Sequence, residues 1–273
     1  MRVLVARESS GIVREAFRKR GFDAWSCDLL PADDGSQHHI QGDARALLHD
    51  AWDLLIAHPP CTYLSSSGMH WTTRGLRDPQ LTEDALALVR EFMNAPIRHI
   101  AIENPVGCIS TRIRKPDQII QPWMFGDDAS KRTCLWLSNL PKLKIDPRHI
   151  VPPQAWSRVV YADDLPRCPA CEEPYCGPHG AHYSTCECIG PNEDGVQIRT
   201  IDGVQFGTRA EHPPRPVWSN QTPSGQNKLG PSADRWKLRS KTYAGIAEAM
   251  ADQWGRFMTA ATNTQDMRQL VIS

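Results

Sequence analysis

Through the first 140 residues, short apolar runs alternate with longer amphipathic stretches. Residues 2–6 form an apolar run that predicts a buried strand. A Ser/Gly turn follows, then a helix over about residues 12–19 that ends at Gly21. Residues 23–29 predict a second strand, 38–41 a short third ending at Gly42-Asp43, and 52–57 a fourth that stops at Pro59-Pro60. A helix is predicted from about Leu81 to Met93, with Leu81, Ala85, Leu88 and Phe92 spaced for one face. Residues 99–102 and 133–137 predict a fifth and a sixth strand. Strands alternating with helices imply an α/β fold. The expected architecture is a mostly parallel, Rossmann-like sheet with helices on both faces, its ligands beyond the carboxyl ends of the strands.

The texture changes over residues 141–231, which hold fourteen of the 22 prolines and few long apolar runs. This stretch reads as a small, loop-rich insert with too little core to hold itself together without a metal. Helical patterning returns over 232–258. Ser240 or Thr242 is the expected N-cap, Ile246, Met250, Trp254 and Phe257 form an apolar stripe, and the last dozen residues read as a frayed tail.

Composition adds exclusions. Hydrophobic residues are 40% of 273 and charged residues 23%, as in ordinary globular chains. Lys+Arg and Asp+Glu are each 31, so binding to polyanions by bulk charge is disfavoured, although a local basic patch is not. No run approaches the 18 apolar residues of a membrane span, and the first residues are too soon charged for a secretory signal. A soluble, cytoplasmic, monomeric protein is expected.

The nine cysteines divide unevenly. Cys27, Cys61, Cys108 and Cys134 are scattered singly, whereas Cys168, Cys171, Cys176, Cys186 and Cys188 crowd into 21 residues. Without a secretory signal the cluster reads as a metal site rather than a disulfide framework. Cys168-Pro169-Ala170-Cys171 is one half of a zinc knuckle. Four ligands suffice for a structural zinc. Cys168, Cys171, Cys186 and Cys188 lead, with Cys176, His179 and His182 as alternates.

Two turns carry candidate chemistry. His58-Pro59-Pro60-Cys61-Thr62-Tyr63-Leu64 leaves the fourth strand, and Glu103-Asn104-Pro105 leaves the fifth. A lone cysteine is more often a small buried residue, and Asn-Pro is a common turn starter. Together, a thiol and a carboxyl at neighbouring strand ends suit a nucleophile and a proton-handling group.

With Ser130-Lys131-Arg132-Thr133-Cys134-Leu135-Trp136-Leu137 following in order, the sequence resembles the DNA cytosine-5 methyltransferases, especially the short versions carried by phages and prophages. The likeness spans residues 1–140 and resumes around 232–258. It implies methyl transfer from S-adenosylmethionine to carbon 5 of a cytosine flipped out of double-stranded DNA. Cys61 would be the nucleophile, Glu103 would hold ring nitrogen 3 and the amino edge, and Asn104 would fix the turn. Arg132, or its neighbour Lys131, would contact the base carbonyl or phosphate. The donor cleft would use Gly11, Asp28 for the ribose diol, Asp43 for the adenine amino group, and Pro59. The family's aromatic-Gly-x-Gly loop is here Ala6-Arg7-Glu8-Ser9-Ser10-Gly11, which leaves room for a modified donor.

The insert stands where the family places target recognition, and its zinc is a departure. Lys228, Arg235, Lys237, Arg239 and Lys241, against the lone acid Asp234, suit phosphate contacts. Ser65-Ser66-Ser67-Gly68 suits a loop that closes over DNA. The competing readings are the same fold acting on RNA, transfer of a modified one-carbon group, and a non-catalytic DNA-binding relative.

Overall fold

The computed structural model describes residues 1–153, 155–156, 159–161, 175–176, 181–182, 198–201, 204–207, 216–221, 227–230, 232 and 235–272. Seven strands form the main sheet: β1 (Arg2–Ala6), β2 (Asp23–Asp28), β3 (His39–Gln41), β4 (Leu54–Ala57), β5 (His99–Pro105), β6 (Gln118–Ile120) and β7 (Thr133–Ser138). Their order is β3-β2-β1-β4-β5-β7-β6. β1 to β5 pair in parallel, and β7 runs antiparallel to both β5 and β6. This is the doubly wound, Rossmann-like α/β sheet that the alternation predicts. β6 is the strand that the pattern does not announce, because it is three residues long and follows a Lys-Pro-Asp stretch.

Successive residues of each strand supply opposite faces of the sheet. Val3, Val5, Leu54, Ile56, Ala101 and Leu135 belong to one core. That core takes in α1 (Ile12–Arg18) and, further on, the last helix. Leu4, Ala6, Leu55, Ala57, Ile100, Ile102 and Trp136 belong to the other. Helices α2 (Cys61–Leu64) and α3 (Ser66–Thr73) follow β4 directly, and α4 (Gln80–Met93) covers the second face. α4 buries Thr82, Ala85, Leu86, Val89 and Phe92, whereas Leu81 is 39% exposed. The apolar stripe is therefore rotated from the predicted one towards Leu86 and Val89.

The short α5 (Ile109–Arg112) follows β5, and α6 (Arg235–Ser240) precedes α7 (Ala244–Ile272). Along α7 the stripe Ile246, Met250, Trp254 is buried as expected. Its next member is Met258 rather than Phe257, which is 41% exposed, because the buried spacing of four continues. The helix also runs to Ile272, through the stretch expected to fray.

The chain divides into two compact units. One comprises 1–127, 131–151 and 231–273, and the other 128–130 and 152–230. The insert thus starts at 152 rather than 141. Residues 141–151 stay with the sheet because Leu143 is buried in its core. The Leu143 N–H donates to Gln118 Oε1 at 2.8 Å, and the Lys144 N–H to Gln253 Oε1 at 2.7 Å.

The second unit contains β8 (Ala155–Trp156), β9 (Val159–Tyr161), β10 (Tyr175–Cys176), β11 (Ala181–His182), β12 (Ile198–Ile201), β13 (Val204–Gly207) and β14 (Pro216–Val217). They pair as β14-β8, β12-β13-β9 and β10-β11. Cys176 and His182 fall at register positions of the β10–β11 pair, while Cys168, Cys171, His179, Cys186 and Cys188 lie outside the described residues. Among the described residues no group of three or more His, Cys, Asp or Glu is placed to hold a metal ion. Nor, among them, is any helix long and apolar enough to cross a membrane.

Candidate active site

Register brings the candidate residues to one level. Ala6 of β1 pairs with Ala57 of β4, and Ala57 with Ile102 of β5. The next residues, Arg7, His58 and Glu103, therefore emerge side by side at the carboxyl edge. Pro59 and Pro60 cannot donate to the ladder, so β4 stops there and α2 begins at Cys61. Asn104, 1% exposed, donates from Nδ2 to the Pro59 carbonyl at 2.7 Å and ties the β5 turn to the Pro-Pro turn. Two glycines permit the close approach around Cys61. A Cβ on Gly68 would stand 2.1 Å from the Thr62 carbonyl oxygen, and one on Gly107 would stand 1.9 Å from that of Leu64.

These ends surround a cavity of about 440 Å³. Cys61, Glu103, Asn104, Asp28 and Pro59 line it, as do Arg7, Glu8, His58, Lys131, Lys237 and Lys241. Glu103 is buried, and His58 Nδ1 stands 2.6 Å from its Oε2. Burial pushes the Glu103 carboxyl up, but the Lys131 charge and the His58 hydrogen bond and charge outweigh it, so the carboxyl lies below its ordinary value. The Cys61 thiol is pushed up, chiefly by burial and further by Glu103. Lys131 and Arg239 oppose that shift. A half-buried thiol and an ionised carboxylate with a lysine acting on both is the arrangement expected of a reacting site.

Several of the other candidate residues sit elsewhere. Arg132 is exposed and does not line the cavity, whereas its neighbour Lys131 does. Gly11 is the N-cap of α1 at φ 71°, where a Cβ would meet Arg14 and Asp34. Asp43 caps the helical turn Ala44–Leu47 by accepting the Arg45 N–H at 3.0 Å, and also pairs with the Arg45 guanidinium. Of the basic run, Lys237 and Lys241 line the cavity and pair with Asp33 at 2.6 and 3.2 Å. The serine stretch is part of α3, where Ser65 Oγ accepts the Gly68 N–H at 3.2 Å.

Two residues carry weight that the sequence reading did not assign them. His58 sits inside the quoted Pro-Pro motif, and only the β5 pairing reveals its partner. Glu8 is 5% exposed and accepts the N–H groups of Val13 at 2.7 Å and Arg14 at 3.3 Å. Burial raises its pKa against the pull of His58, those two amides and Arg14. Arg14, itself fully buried, pairs with Glu15 and Asp34 and donates to Ser26 Oγ.

No family model and no curated protein matches the sequence. Among solved structures the chain is similar to a protein described as a DNA modification methyltransferase encoded within an E. coli prophage. The two share 15% identity at a TM-score of 0.32, over 50% of this chain and 46% of that one. It is also similar to the Entamoeba histolytica methyltransferase EhMeth, at 11% identity and a TM-score of 0.47, over 94% and 98% of the two chains. A third similar structure is the S. pombe Dnmt2 methyltransferase, at 19% identity and a TM-score of 0.34, over 52% of each chain. The chain spans about half the length of the prophage and S. pombe proteins.

Proposed function

We propose that the protein transfers a methyl group from S-adenosylmethionine to carbon 5 of cytosine in DNA, through a transient bond from Cys61 to carbon 6 of an extruded base. One observation carries the reading: Cys61, Glu103 and Lys131, distant in sequence, line one cavity at the carboxyl ends of β4 and β5 and just ahead of β7. That arrangement answers the chemical problem. Carbon 5 of cytosine is a poor nucleophile, and thiolate addition at carbon 6 turns the ring into an enamine. Glu103 holds nitrogen 3 and the amino edge and handles the proton taken up there. Lys131 offsets negative charge on the thiolate and on the ring as it develops. Carbon 5 would take the methyl group as the donor's S–CH3 bond breaks to leave a neutral thioether, and loss of the carbon 5 proton to solvent with expulsion of the Cys61 thiolate would restore the aromatic base. A paired base is out of reach of such a pocket, so the target leaves the duplex.

The donor suits the residues present. Glu8 already occupies the Val13 and Arg14 N–H groups, which in a nucleotide-binding sheet would take a phosphate. Those amides are therefore taken, which is compatible with a donor that carries no phosphate, such as a sulfonium. Asp28 ends β2 with Oδ1 accepting the Leu30 N–H at 3.0 Å, and its second oxygen would hold the ribose diol. When bound, S-adenosylmethionine supplies an electrophilic methyl group. In the second unit a structural zinc on Cys168, Cys171, Cys186 and Cys188 would stabilise the recognition insert, a reading that rests on cysteine spacing.

The test is incubation with duplex DNA carrying 5-fluorocytosine plus the donor, since fluorine at carbon 5 blocks the final elimination. A denaturation-resistant complex is expected, absent from Cys61→Ser, and nucleosides from treated ordinary DNA should contain 5-methylcytosine. Binding without adduct or modified base would overturn catalysis. Modification confined to RNA, or a heavier added group, would overturn the substrate or the donor.

A further inference from the structure

Glu103 needs one carboxylate oxygen for the substrate, and the fold commits the other. Oε2 lies 2.6 Å from His58 Nδ1, with the two side chains 6% and 10% exposed. An ionised carboxylate only accepts, so Nδ1 carries the proton of this bond. The remaining ring nitrogen, Nε2, is buried and has no hydrogen-bond partner. Glu103 is thus the one hydrogen-bond partner of the imidazole among the described residues. Buried polar groups are normally satisfied on both sides, and those that are not call for an explanation. A histidine at a strand end, spent on a single bond to a cavity-lining carboxylate, is explained if that bond is its task.

We propose that His58 is the positioning residue of Glu103: its Nδ1–H fixes Oε2 so that Oε1 stays turned to the ring edge of the extruded pyrimidine. This rests on the reading of Glu103 given above and adds a residue to it. Asn104 holds the same turn through the Pro59 carbonyl, so the β5 end is anchored twice to the β4 exit, once through backbone and once through the carboxylate. The charged and titratable groups around the pair are Arg7 and Glu8 beyond β1, Cys61 at the start of α2, Lys131 ahead of β7 and Cys134 within β7. The His58 bond favours ionised Glu103. Its loss therefore raises the Glu103 pKa and moves whichever limb of the rate profile Glu103 sets to higher pH.

The experiment compares wild type, His58→Ala, His58→Asn and His58→Gln in the rate of adduct formation with 5-fluorocytosine DNA, across pH. The asparagine amide sits where Nδ1 does, and the glutamine amide where Nε2 does. His58→Ala should slow adduct formation by about 10- to 100-fold, the scale of a misplaced catalytic group. The limb that Glu103 sets should shift to higher pH. His58→Asn should recover to within about 5-fold of wild type by restoring the donor, and His58→Gln should not. Wild-type rates and pH profile in His58→Ala would overturn the inference and leave the methyltransferase reading standing. Equal loss in His58→Ala and His58→Asn would overturn it too. A second measurement is independent of activity: nitrogen-15 NMR of labelled histidines should show His58 protonated at Nδ1, with that signal displaced in Glu103→Gln. An unmoved signal overturns the pairing. No adduct from the wild type, with the NMR result as expected, would sink the function while keeping the bond.

Discussion

Lys131 acts on both halves of the candidate chemistry, since its charge lowers the pKa of Cys61 and of Glu103. Removing it must raise both. Lys131→Met should therefore shift the alkaline rise of adduct formation, which follows the thiolate, to higher pH and slow the reaction near neutrality by about tenfold or more. A pH–rate profile of fluorocytosine trapping checks this, and an unshifted profile would remove Lys131 from the site. Glu8 provides the opposite sign. Its folded pKa is raised, so its contribution to stability is present below its ordinary value of 4.5 and is lost as pH climbs through the folded value. Glu8→Gln keeps an acceptor for the Val13 N–H without the buried charge. Its melting temperature relative to wild type should rise as pH climbs above 4.5 and level off past the folded value of Glu8, and thermal scans at several pH values would show a flat difference if Glu8 carries no such burden. Cys61 and Glu103 are legible in sequence because a motif of fixed order surrounds them. His58 and Glu8 are not, because their roles depend on which buried groups face them.

At the scale of elements, the site depends on how tightly the sheet is clamped by α1 and α7. Trp254 is wholly buried in that interface, and its Nε1 donates to the Pro141 carbonyl at 2.9 Å. Trp254→Ala should cost about 3–5 kcal/mol, read as a shift of the urea midpoint. A change below about 1 kcal/mol would mean that α7 is not part of the cooperative core. The alternation of apolar and polar stretches places the major strands and helices to within a few residues. It misplaces the buried side of α4, because apolar residues at 81, 85, 86, 88, 89 and 92 satisfy more than one helical stripe and only packing against the sheet chooses. It also misses β6, whose three residues form a strand only because β7 lies beside them. The Cys61 turn depends similarly on Gly68 and Gly107, which look like ordinary loop glycines until the neighbouring carbonyl oxygens are seen.

For the whole molecule, zero net charge means that any hold on DNA comes from local arrangement rather than from a global field. Lys237 and Lys241 illustrate the point: they reach the cavity, yet Asp33 neutralises part of their charge. The second unit carries the five clustered cysteines. Metal analysis of purified protein should find about one zinc per chain, and a strong chelator should lower the melting temperature. Less than about a tenth of an equivalent would remove zinc from the insert.

Sequence alone determined the α/β class, a change of texture that it placed at residue 141, and the identity of a thiol and a carboxyl at successive strand ends. These follow from local periodicity, proline placement and motif order, which need no knowledge of neighbours. Tertiary structure alone decided that Lys131 rather than Arg132 enters the cavity, that Glu8 caps α1 from within, and that His58 grips Glu103. Those outcomes are set by register across β1, β4, β5 and β7 and by the burial that register creates. A hydrogen bond between residues 45 positions apart has no signature along a linear chain.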